Sequence, residues 1–170
     1  MITPFVSLLL MSQQDNLIGK PAPEFIGKEW LNVEKDAPTL ASRKGKVTLI
    51  HFWTFACYNC KNNLPAVERL TSKYKKEGVE MISIHTPELK EEKDVANVKK
   101  AVEKYGIKYP VLIDGDLANW KAWKTNCWPT FYVIDKKGIV RGGWIGELNY
   151  NNQGGESKMA VLIRQLLDEK

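Results

Sequence analysis

The residues of this chain best equipped for chemistry are Cys57 and Cys60, separated by Tyr58 and Asn59 in a Cys-x-x-Cys sequence. They follow the apolar run Val47-Thr48-Leu49-Ile50-His51-Phe52-Trp53 and precede a stretch with helical periodicity, so the pair is expected at a strand-to-helix turn. A sulfur at a helix N-terminus lies against unpaired backbone N–H groups and the positive end of the helix dipole, both of which favour the thiolate. The thiolate is the nucleophile of disulfide exchange. Cys57, at the helix start, is therefore the expected nucleophile. Cys60, about one turn further in, is placed to attack a mixed disulfide at Cys57 in an intramolecular step. Tyr58 and Asn59 add neither imidazole nor positive charge, which points to a moderately depressed Cys57 pKa and a reducing or intermediate potential.

Three cysteines in 170 residues do not make a disulfide scaffold, and they exclude a four-cysteine zinc site. A static disulfide or a site of mixed Cys and His ligands remains open for Cys57 and Cys60. The alternative function is Cu(I) binding by these two sulfurs with His85 or His51. Cys127 lies two residues before Pro129 and reads either as a third redox thiol or as a small buried apolar residue. Disulfide exchange by these residues requires no organic cofactor.

The elements that must position the pair follow from the hydrophobic pattern. Residues 46–55 are nearly continuously apolar and β-branched, as in a central strand buried on both faces. Leu64, Val67, Leu70 and Tyr74 then form one helical stripe that closes near Gly78, with a kink expected at Pro65. Residues 79–85 read as a second strand. Val95, Val98, Ala101, Val102 and Tyr105 make the next helix, closed by Gly106. This β-α-β-α alternation implies parallel strands and a right-handed crossover. Residues 109–113 form a short strand, and residues 117–124 a short helix in which Trp120 and Trp123 are packing residues. Residues 130–134 and 139–145 form a hairpin around Asp135-Lys136-Lys137-Gly138, and Met159, Leu162, Ile163, Leu166 and Leu167 line a terminal helix. Upstream, Gly19-Lys20-Pro21-Ala22-Pro23 is extended, and a short hairpin is expected between residues 30–33 and 39–40. The fold class is α/β, a central mixed sheet flanked by helices, in one domain over residues 19–170.

The net charge of +5 is spread along the chain. Its densest run, Lys73-Tyr74-Lys75-Lys76, falls late in a helix where lysines complement the dipole, and no aromatic-basic groove points to nucleic acid. Residues 1–18 read as an arm. Within it, residues 2–11 resemble the apolar core of an export signal without a basic leader or clear cleavage site, and are too short to span a bilayer. A degenerate export signal and a disordered or surface-docked arm are both open, and with them N-terminal or peripheral membrane association.

Taken in order, Gly19-x-x-Ala22-Pro23-x-Phe25, Phe52-Trp53-x-x-x-Cys57-x-x-Cys60 with Pro65, Trp128-Pro129-Thr130 and the hairpin Gly138 resemble the thioredoxin superfamily. Within it the chain is most similar to the TlpA-like and DipZ-like thiol-disulfide oxidoreductases of redoxin type. His85-Thr86-Pro87-Glu88 and Tyr109-Pro110-Val111 look most like the soluble domains of the DipZ kind. The resemblance implies a thioredoxin-like fold in which Pro129 is a cis-proline facing the dithiol. Trp128, Pro129 and Thr130, with Tyr58, would then contact an extended substrate segment. His51 stands where thioredoxins carry a buried acid, which makes it a candidate for proton transfer from Cys60; the competing reading is a neutral, hydrogen-bonded core histidine. Asn63 stands where cytochrome c maturation reductases carry a glutamate, which points away from that specialised role. Copper-delivery relatives space their cysteines by three residues, and the motif of the lone peroxiredoxin cysteine is absent. Protein disulfides as substrates, an upstream thiol protein as electron donor, a monomer and an extracytoplasmic bacterial location complete what the resemblance implies.

Overall fold

The computed structural model describes residues 17–169, so the signal-like segment expected at residues 2–11 lies outside the described residues. Every residue of the strand Thr48–Trp53 (β2) is buried, and its side chains divide between two cores. Leu49 packs with Val67, Leu70 and Ile163, whereas Ile50 and Phe52 pack with Trp123 and Tyr132. The sequence of β2 is nearly continuously apolar because neither face meets water.

The strand sits inside a six-stranded sheet of order β1-β4-β3-β2-β5-β6. Its partners are β1 (Trp30–Leu31), β3 (Glu80–His85), β4 (Val111–Ile113), β5 (Thr130–Ile134) and β6 (Val140–Ile145). β2, β3 and β4 are parallel, while β5 is antiparallel to β2, β6 to β5 and β1 to β4. Helices α1 (Tyr58–Tyr74), α2 (Val95–Lys104) and α4 (Gly155–Asp168) pack on the face that carries Leu49 and Trp53. The opposite face is covered by α3 (Ala118–Ala122), Trp123 and the N-terminal segment through Phe25 and Trp30. Leu17, on the arm side of the boundary expected at residues 18 and 19, is buried in this second core.

This topology gathers the chemistry at one end of the sheet. Parallel β2 and β3 finish together, which brings residues 54–60 beside residues 86–92. β5 runs the other way, so Trp128 and Pro129, which lead into it, fall at the same end. Ligand sites of α/β sheets lie outside the carboxyl ends of such strands.

One local expectation is corrected. Trp30 and Leu31 do not form a hairpin with residues 39–40; they pair with Leu112 and Val111, and residue 40 leads into a 3-10 turn at Ala41–Arg43. The physical reason is that β4 would otherwise present an open edge. Asn32 secures the pairing by donating from Nδ2 to the carbonyls of Ile107 (2.8 Å) and Tyr109 (3.1 Å). The helix α1 continues through Pro65, where the kink is expected; the proline removes one backbone donor without ending the helix. At its far end the chain leaves through a 3-10 turn and Gly78, whose φ of 85° suits glycine.

Candidate active site

Cys57 is the N-cap of α1, and its Sγ accepts the Cys60 N–H at 3.1 Å. Sulfur thus takes the place of the side-chain oxygen that normally satisfies an unpaired amide of the first turn. Cys57 is part-buried; Cys60 is fully buried against Trp53, Val98 and Ile113, and neither forms a disulfide. The surroundings drive the two acidities apart. A hydrogen bond from the Cys60 side chain, aided by the amides of Cys60 and Asn59, lowers the Cys57 pKa to about 7 against the opposing effects of burial and the Glu88 charge. Burial pushes the Cys60 thiol up. The helix terminus contributes as expected, but the partner thiol is the leading cause.

Beneath the pair lies a buried polar chain that sequence reasoning missed. Glu92 is fully buried, and its carboxylate accepts the Thr54 hydroxyl and the amides of Ala56, Glu88 and Leu89, the three amide bonds at 2.8 Å each. Burial raises its pKa, but these four donors outweigh burial and the net direction is down. His85 Nε2 lies 3.4 Å from the same Thr54 hydroxyl. Burial lowers the His85 pKa to about 4, so its imidazole is neutral at pH 7. In sequence Glu92 sits within Lys90-Glu91-Glu92-Lys93, which reads as a solvated charged turn, and of the four only Glu92 is buried.

His51 is fully buried, stacked at 4.4 Å on Phe131, and among the described residues neither ring nitrogen has a hydrogen-bond partner. Burial lowers its pKa to about 3. Its imidazole is therefore neutral at pH 7, and the hydrogen bonds expected of a core histidine are not seen among the described residues. Asn63 is also buried. Its Nδ2 donates to the Gly146 carbonyl (3.2 Å) and its Oδ1 accepts the Leu148 amide (2.8 Å), so its amide ties α1 to the segment after β6.

The Trp128–Pro129 peptide bond is cis. Trp128 packs against the same buried cluster as Phe55 and Cys57, and stacks on Trp120 with ring centroids 4.2 Å apart. Thr130 is buried, its hydroxyl donates to the Cys127 carbonyl at 2.8 Å, and its backbone lies in the sheet between Phe52 of β2 and Ile145 of β6. Cys127 is part-buried with its sulfur 3.9 Å from the Thr130 hydroxyl. Tyr58 is 70% exposed, the most exposed aromatic beside the dithiol. Trp53, by contrast, is core: its Nε1 donates to Ser83 Oγ at 2.9 Å. Among the described residues, no group of three or more His, Cys, Asp or Glu side chains is placed to hold a metal ion.

A Cys-x-x-Cys turn at the head of a helix, at the carboxyl end of a mixed sheet and near a cis-proline loop, defines a thioredoxin-like redoxin. Comparison with known proteins agrees. Residues 18–142 match the AhpC/TSA family, and the chain belongs to it, among the thiol-disulfide oxidoreductases of the thioredoxin superfamily. Protein DipZ of Mycobacterium bovis is 39% identical over 150 residues, covering 87% of this chain but 21% of that protein. The chain thus spans about a fifth of the length of that relative. Thiol-disulfide oxidoreductase YkuV of Bacillus subtilis is 33% identical over 123 residues, 72% of this chain and 81% of that one. Among solved structures, the thioredoxin-like superfamily protein SPOA0173 superposes with a TM-score of 0.78 at 25% identity, covering 88% of this chain and 97% of that one.

Proposed function

We propose that this chain reduces disulfides in protein substrates through Cys57 and Cys60. The observation that carries this is the pairing of a part-buried sulfur, held at a helix start by the Cys60 amide, with a fully buried thiol three residues on. The Cys57 thiolate attacks one sulfur of the substrate disulfide, forming a mixed disulfide and releasing the other substrate sulfur as a thiolate that takes up a proton. Cys60 then loses its proton and attacks Cys57 Sγ, closing the Cys57–Cys60 disulfide and releasing the second substrate thiol. Two electrons pass from the dithiol to the substrate, and an upstream thiol protein returns them.

A Cys57 pKa of about 7 supports the reducing direction. Strong dithiol oxidants owe their potential to a far more stabilised thiolate. Trp128, the Pro129 loop and exposed Tyr58 form the docking rim, and an open cleft of about 330 Å3 lined by Asn59, Ile145, Glu147 and Tyr150 continues it. His51 is fully buried against Phe131, with neither ring nitrogen hydrogen-bonded among the described residues, and burial lowers its pKa, so we assign it to packing and not to proton transfer. Cys127 is read as a packing residue of the same loop. The domain is taken as residues 19–170, monomeric, and its location as extracytoplasmic, in line with its resemblance to DipZ-like proteins.

An insulin-reduction assay beside a Cu(I) titration tests the function. Wild type should turn over with dithiothreitol as donor, Cys57→Ser should lose at least a hundredfold of that rate, and neither should bind Cu(I) tightly. Tight copper binding without turnover would assign the cysteines to metal capture.

A further inference from the structure

Glu92 is a buried carboxylate whose four hydrogen bonds all come from neutral donors. A buried charge is costly unless its lone pairs are filled, and here two loops fill them at once. Oε1 faces the segment that enters the dithiol, accepting the Thr54 hydroxyl and the Ala56 amide (2.8 Å). Oε2 faces the loop after β3, accepting the amides of Glu88 and Leu89 at 2.8 Å each. Ala56 immediately precedes Cys57, and the Thr54 backbone acts to lower the Cys60 pKa against the effect of burial.

Building on the dithiol function above, we propose that Glu92 is a positioning residue for Cys57: its carboxylate staples residues 54–56 to the loop after β3 and so sets where the Cys57 sulfur meets the amides of the first helical turn. Glutamine has nearly the same size but one acceptor oxygen, and its amide nitrogen would face two N–H donors, so one side of the staple breaks. The titratable groups around the pair are Cys60 on α1, Glu88 and Glu92 in the loop, and His85 at the end of β3. The charge of Glu88 acts on Cys57, and that of Glu92 acts on Cys60. A rise in the Cys57 pKa on neutralising Glu92 therefore reports the lost staple, because lost negative charge would act in the opposite direction.

The test is the pH dependence of Cys57 alkylation by iodoacetamide in the reduced chain, wild type against Glu92→Gln, with thermal melts run alongside. The wild-type profile should have its midpoint near pH 7. In Glu92→Gln it should move toward that of a free cysteine, with alkylation at pH 7 slower by about fivefold. A folded Glu92→Gln whose profile superimposes on wild type overturns the proposal, since loss of stability alone would leave that profile in place. If the variant does not fold, Thr54→Val is read instead. It removes one bond on the dithiol side and keeps the carboxylate, so a smaller upward movement supports the staple and a superimposed profile overturns it. Alkylation needs no disulfide substrate. A wild type that fails to reduce insulin therefore overturns the proposed function and leaves this comparison standing.

Discussion

Cys57 and Cys60 lie one helical turn apart, yet one sulfur is held ready to ionise and the other is kept as a thiol. The asymmetry has a consequence for stability. An unfolded cysteine ionises near pH ~8.5, whereas buried Cys60 keeps its proton to higher pH. Above that pH the native state binds more protons than the unfolded state, so stability falls as pH rises, by about 1.4 kcal/mol per pH unit. Urea unfolding of the reduced protein between pH 9 and 10 should show this extra slope in wild type and not in Cys60→Ala. Parallel pH dependences would mean that Cys60 is not held neutral by burial. Spacing alone made the dithiol legible, because the Cys-x-x-Cys sequence and its flanking strand are local. The environments of His51 and Glu92 were not legible, since they depend on Phe131 across the sheet and on Thr54 and Ala56 far along the chain.

The long elements were legible from periodicity, and the short ones were not. β2, β3, α1, α2 and α4 each carry an apolar pattern that survives without knowing the partner, whereas β1 is two residues long and owes its place to β4 and Asn32. Close packing of α4 against the end of β6 is another feature invisible in sequence. A Cβ at Gly155 would lie 2.5 Å from Trp144 Cε2 and 2.6 Å from the Leu148 carbonyl oxygen. Alanine would improve helix propensity by about 1 kcal/mol, but a backbone oxygen cannot move aside cheaply. Gly155→Ala should therefore destabilise by about 1–3 kcal/mol on balance, read as a lower Tm, with Cys57 alkylation unchanged. A Tm equal to or above wild type would show that α4 has room to shift.

At the scale of the molecule, the direction of the strands decides where reactivity can be. Parallel β2 and β3 and antiparallel β5 deliver the dithiol, the loop carrying Glu92 and the cis-proline loop to the same end of the sheet. In the proposed function this end of the domain is the reactive face, with Tyr58 and Trp128 flanking the sulfur that would open the exchange. The order of the two sulfurs is the centre of the account, and trapping the mixed disulfide tests it most directly. Cys60→Ser, incubated with insulin and examined by intact mass, should accumulate an adduct through Cys57 that dithiothreitol releases, while Cys57→Ser accumulates none. An adduct carried by Cys60 or Cys127 in place of Cys57 would contradict it.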